Sequence, residues 1–190
     1  RVLAEDLGEA LGVMAVWGGK GDTEYGLVYD DPRLPALGRR IMLPPQLAAE
    51  AARDLGATLT DAAAYEAHRI ALGVPRGGLD FAYNDAFPHE ACMDQLGGVD
   101  FDKGCYIGQE VVSRMQHRGT VRTRVMQVGY PEFAPQDGVP VTAGDRPVGT
   151  MGSAAEGYGL ALLRLDRASY ALAAGVPLLA AGIPVTPVKP

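Results

Sequence analysis

Apolar positions recur along the chain in two rhythms, one of about four residues and one of two, and the changes of rhythm mark the predicted elements. Leu3, Leu7 and Leu11 are spaced every four residues, with Glu5 and Asp6 among them and Gly12 behind, which predicts a short helix over residues 3–11. Residues 13–17 and 25–29 are strand-like, with Gly18-Gly19-Lys20-Gly21 as the turn after the first. A third strand covers 39–43, where Arg39, Ile41 and Leu43 share a face. Pro44-Pro45 opens a helix that runs to residue 55 and stops at Gly56. Asp61 is placed to cap a helix over 62–72, closed by Gly73 with Pro75 beyond.

From 76 to 102 no period holds, and Gly77-Gly78, Asn84-Asp85, Pro88 and Gly97-Gly98 predict loops and short pieces. A helix-like run follows over 109–116. After Gly119 the pattern alternates. Residues 120–130 read as a long strand, followed by short strands near 139–142, 147–152, 159–164, 176–179 and 184–188. Ala143-Gly144-Asp145-Arg146 and Ala181-Gly182 are turn-like joins. Short strands between turns predict a small antiparallel β-barrel after an α+β region, with 1–124 and 125–190 as the two domains.

Composition narrows the class. The chain has 190 residues, 47% hydrophobic and 21% charged, enough for a real core. No apolar run nears the roughly 20 residues that span a bilayer. No basic-then-apolar leader opens it, and two cysteines are too few for a disulfide framework, so a reducing, cytoplasmic setting is expected. The net charge of −6 argues against direct nucleic-acid binding. The first residue is Arg1, which suggests a piece of a longer protein.

The candidate chemistry centres on Asp102-Lys103-Gly104-Cys105-Tyr106-Ile107-Gly108-Gln109-Glu110. A thiol beside a cation and ahead of a helix N-terminus has its thiolate favoured, and flanking glycines let the backbone turn and leave the sulfur uncrowded. Cys92 has no such neighbours and is expected to be packed and inert. His89, Cys92, Cys105 and His117 make only one close ligand pair, so no metal site is assigned. Arg114, Arg118, Arg122 and Arg124 could receive an anion, but a wet strand face accounts for Arg122 and Arg124. The Gly-Gly-Lys-Gly turn lacks phosphate-loop spacing. Asp80, Asp85 and Glu90 are a loose carboxylate group with no spacing that makes them converge.

Lys103-Gly104-Cys105-Tyr106-Ile107-Gly108-Gln109-Glu110 resembles the signature of the YgfZ family, folate-binding relatives of the glycine-cleavage T protein (GcvT). Further stretches match the same family: Asp31-Pro32-Arg33 with Leu37-Gly38-Arg39, Arg69-Ile70-Ala71-Leu72-Gly73-Val74-Pro75, and Pro88-His89-Glu90. Val148-Gly149-Thr150 and Gly159-Leu160-Ala161-Leu162 are similar to its C-terminal barrel. The resemblance implies a GcvT-like folate-binding module, incomplete at its N-terminus by on the order of a hundred residues, ahead of the barrel. It implies tetrahydrofolate or another folate as cofactor and a role in iron–sulfur cluster assembly or repair. Through cluster-dependent enzymes that role reaches tRNA thiomodification.

Cys105 is then the essential residue, in transient contact with a cluster or an iron–sulfur partner. Lys103 favours its ionised form, Gly104 and Gly108 set the turn, Tyr106 belongs to the motif, and Gln109 and Glu110 open the helix. Arg69, Tyr83 and Glu90 are the candidates for lining the folate. A eukaryotic source would place the protein in the mitochondrial matrix. Two alternatives are a tetrahydrofolate-dependent aminomethyltransferase and a non-catalytic partner-binding scaffold. The first is weakened at Ala71, where the aminomethyltransferases carry a pterin-binding glutamate.

Overall fold

A computed structural model describes residues 8, 10–19, 21–119 and 121–188. The helix expected over 3–11 falls largely outside them, as do Lys20, Thr120 and the side chain of Arg118. The chain divides into two compact units between Tyr65 and Glu66.

In the first unit β1 (Gly12–Val16), β2 (Leu27–Asp30) and β3 (Arg39–Leu43) form an antiparallel sheet in the order β1-β3-β2. Alternation puts Val16, Ile41 and Leu43, with Met14 and Val28, on the inner face against Ala51 and Leu55. Ala51 lies in α1 (Ala48–Asp54), which follows a 3₁₀ turn over Pro45–Leu47, and Leu55 is the C-cap of that helix. The expected single helix from 44 is therefore two pieces, because its proline pair tightens the first turn.

The Asp-Pro-Arg stretch explains itself here. Asp31 is buried and accepts from Arg33 Nε at 2.9 Å, Arg33 Nη2 at 2.7 Å and Arg40 Nε at 2.9 Å. The bonds from Arg33, with help from Arg40 and against the cost of burial, hold its carboxyl well below the usual carboxylate range. Both guanidinium groups also donate to the Tyr65 hydroxyl. The partner of Asp31 on β3 is Arg40 rather than Arg39, since Arg39 projects to the other face.

The division between units falls inside α2 (Ala62–Ala71), where Asp61 Oδ1 accepts the Ala64 N–H at 3.1 Å as the expected cap. In the second unit, α3 (Gln109–Arg118) precedes a closed barrel. Its strands are β4 (Thr123–Gly129), β5 (Pro140–Ala143), β6 (Arg146–Ala155), β7 (Tyr158–Arg164), β8 (Leu178–Ala180) and β9 (Ile183–Pro187). They join antiparallel as β4-β7-β6-β5-β8-β9 and back to β4. Val128, Val141, Val148, Met151, Leu163, Leu178 and Val185 fill the interior.

A helix the alternating pattern did not announce, α4 (Leu165–Ala173), adds Ala168 and Ala171 to that core. Barrel closure and unit boundary are separate features. Residues before β4 share the second unit, where Ile70 and Cys92 pack with Val125 and Leu160.

Candidate functional site

Backbone geometry positions the cysteine. Gln109 N–H donates to the Tyr106 carbonyl at 3.2 Å, and Gly108 sits at φ 88, ψ 0. Ile107 does not have a positive φ, so Tyr106-Ile107-Gly108-Gln109 is a type II turn, which calls for glycine at its third position. Gly108 is at once that position and the N-cap of α3. Gln109 reaches back, its Oε1 accepting the Tyr106 N–H at 2.8 Å, and Glu110 lies in the first turn, where the helix dipole favours a negative charge. Gly104 is left-handed too, at φ 84.

Cys105 is exposed on this loop, and Cys92 is buried. The Cys92 thiol donates to the Val125 carbonyl at 3.3 Å, and burial, only partly offset by Arg124, pushes its pKa up. Lys103 lies over the Tyr106 ring, its Nζ 4.4 Å from the ring centroid, a cation–π contact within the motif.

The loop and α3 enclose an open hollow of about 980 Å³. Gly104, Tyr106, Gln109 and Glu110 line it from the motif; Phe101, Ser113, Arg114 and His117 line it from outside. Cys105 flanks this lining rather than forming part of it. Behind the wall, His89 is 1% exposed; its Nε2 lies 3.1 Å from Gln116 Oε1 and its ring packs against Phe101. His89 thus ties the α3 side of the hollow to the loop side. Sequence reasoning met it only as a weak ligand candidate, and Pro88-His89-Glu90 was the one signal available.

The three proposed folate ligands do not gather here. Arg69 is buried and donates to Glu66, the Val74 carbonyl, Asp80 and Ser153, all internal partners. A guanidinium saturated in this way has nothing left for a ligand's carboxylate, so Arg69 is a structural residue. Tyr83 is 72% exposed and its hydroxyl donates to the Gly77 carbonyl at 2.9 Å. Glu90 Oε2 accepts the Phe87 N–H at 3.0 Å. None of the three lines the hollow beside Cys105.

Arg124 forms a two-bond pair with Asp94, at 2.9 and 2.8 Å, which removes it from the basic group. Among the described residues no group of three or more His, Cys, Asp or Glu side chains could hold a metal ion, and no helix is long and apolar enough to cross a membrane.

Residues 122–190 match the family described as CAF17, C-terminal beta-barrel domain. The chain is similar to the mitochondrial iron-sulfur cluster assembly factor IBA57 homolog of Neurospora crassa, 40% identical over 96 residues, 50% of this chain and 21% of that protein. It is 44% identical over 98 residues to the same-named protein of Cryptococcus neoformans, covering 24% of its length. Against the human mitochondrial iron-sulfur cluster assembly factor IBA57 it is 34% identical over 164 residues, 77% of this chain and 45% of that protein. The chain thus spans less than half the length of these curated relatives.

Proposed function

We propose that this chain is the cysteine-bearing part of an iron–sulfur cluster assembly or repair factor in which Cys105 contacts the cluster. The observation that carries the reading is the exposure of Cys105 on a loop built by the type II turn ahead of α3. Beside it Ile107 is fully exposed and Val111 is 45% exposed, an apolar flank suited to a protein partner. The relatives' names point the same way.

In the proposed step the Cys105 thiol gives up its proton and the thiolate donates an electron pair to a cluster iron, displacing one partner thiolate that takes up a proton, with no change of oxidation state. A single cysteine cannot hold a cluster, so the other ligands come from the iron–sulfur partner. Tyr106, pinned by Gln109 and covered by Lys103, orients the loop.

Tetrahydrofolate is the proposed occupant of the hollow, where Tyr106 and Phe101 offer aromatic surface and Arg114 a cation for an acidic tail. Support for tRNA thiomodification follows indirectly, through cluster-dependent enzymes. A mitochondrial location is proposed from the names of the relatives, which are mitochondrial proteins.

The test uses the full-length protein. Cys105→Ser should abolish rescue of cluster-dependent enzyme activity in cells lacking the protein, while Cys92→Ser should not. Full rescue by Cys105→Ser would end the reading. For the folate part, Arg114→Ala should weaken tetrahydrofolate binding and Arg69→Lys should act only through stability.

A further inference from the structure

A second concave surface lies on the barrel and shares no lining residue with the Cys105 hollow. β4 and β9 close the barrel through two register pairs, Val128↔Pro187 and Gly129↔Thr186. Beyond them Pro131 follows the end of β4, and Pro184 brings no N–H to β9. The seam opens there into a groove of about 560 Å³ walled by Tyr130, Tyr158, Pro131 and Pro184.

Tyr130 is fixed in place. Its N–H donates to the Gly157 carbonyl at 3.0 Å, and its hydroxyl oxygen accepts the Gly157 N–H at 3.1 Å. Its own O–H has no acceptor among the described residues. Tyr158 is 42% exposed. Gly129 leaves the floor open, because it has no side chain between the Gly157 and Thr186 carbonyls.

The groove has one charge, Glu156, and its lining contains no cation. Glu132 follows Pro131 in the chain. Glu156 is held at φ 50, a left-handed conformation that is costly for a residue with a side chain. It occupies a hairpin turn where Asn or Gly would be more comfortable.

We propose that this groove docks a proline-rich segment of a partner protein with a basic residue beside its prolines. Such a segment is pre-extended and has no internal hydrogen bonds, so its proline rings can lie on the tyrosine faces while its carbonyls accept from tyrosine hydroxyls. The Glu156 carboxylate, in a lining without a cation, is the charge that a basic flank complements.

The test measures a fluorescein-labelled Pro-x-x-Pro-x-Arg peptide against the 190-residue chain by anisotropy. Saturable binding on the order of 100 µM is expected, falling with added salt. In Gly129→Ala the new methyl would lie 3.9 Å from the Gly157 oxygen and 4.0 Å from the Thr186 oxygen, ordinary contact, so the barrel keeps its melting temperature while the floor is filled. Binding should weaken roughly tenfold there and in Tyr158→Ala. Glu156→Gln should weaken it and flatten the salt dependence.

No binding at about 1 mM overturns the proposal. So does equal binding of the peptide with Arg replaced by Glu, or with its prolines replaced by alanine. Unchanged affinity in a folded Gly129→Ala variant overturns it as well, and this arm survives even if Tyr158→Ala fails to fold.

Discussion

Asp80→Ala is expected to be among the most destabilising single changes in the second unit. Asp80 Oδ2 accepts from Arg69 Nη1 at 2.8 Å and from the Arg76 N–H at 2.7 Å. Its Oδ1 accepts the Ser153 N–H at 2.8 Å and the Ser153 hydroxyl. The Asp80 side chain is 0% exposed and that of Arg69 is 2% exposed. Truncation therefore strands a buried guanidinium, whose remaining carboxylate partner is the partly exposed Glu66.

Breaking one side of a buried pair costs about 3–5 kcal/mol, far above the ~1 kcal/mol of an ordinary surface change. At roughly 2–4 °C per kcal/mol the melting temperature should fall by some 6–20 °C. Urea unfolding followed by far-UV circular dichroism measures the loss, and Arg69→Met combined with Asp80→Leu should recover part of it. A loss below about 1 kcal/mol for Asp80→Ala would refute the assignment of Arg69 to the packing network and reopen it as a ligand residue. Thiol labelling of Cys105 below the melting transition should be unchanged, since Arg69 and Asp80 line no part of its hollow.

Other expectations follow from the same geometry. A maleimide should label the native chain once, at Cys105, with Cys92 reacting only on unfolding; equal rates would contradict the burial and raised pKa of Cys92. Asp31 is held below its unfolded value of 3.8, so its contribution to stability is present above that pH and is lost as pH falls toward the folded value. Asp31→Asn should flatten the acid limb of the stability profile, and an unchanged limb would remove the claim. Gly108→Ala forces a side chain onto φ 88 and should cost about 1–2 kcal/mol of local stability, seen as faster amide exchange in the first turn of α3. Protection equal to the wild type would mean the turn tolerates a Cβ.

Elements with local causes were legible in the sequence. β3 appears at Arg39–Leu43 as the alternation predicts, the Asp61 cap is in place, and the closed barrel follows from short strands between turns. The motif glycines are legible for the same reason, because left-handed backbone is written in the residue that adopts it. α4 was hidden because its alanines satisfy helix and barrel core alike. Its boundaries depend on what it packs against, which local propensity does not encode.

Arg69 shows the limit most clearly. Its resemblance to a family segment made it a ligand candidate, but its partner Ser153 lies 84 residues away. Nothing in the local pattern connects those positions. The tie between His89 and Gln116, 27 residues apart, is hidden in the same way. Amino-acid order alone determined which backbone turns and periodic faces could form, because those depend on neighbours within a few bonds. Folding decided which charges were neutralised inside and which thiol met solvent, because burial and ion pairing depend on residues that only the closed chain brings together.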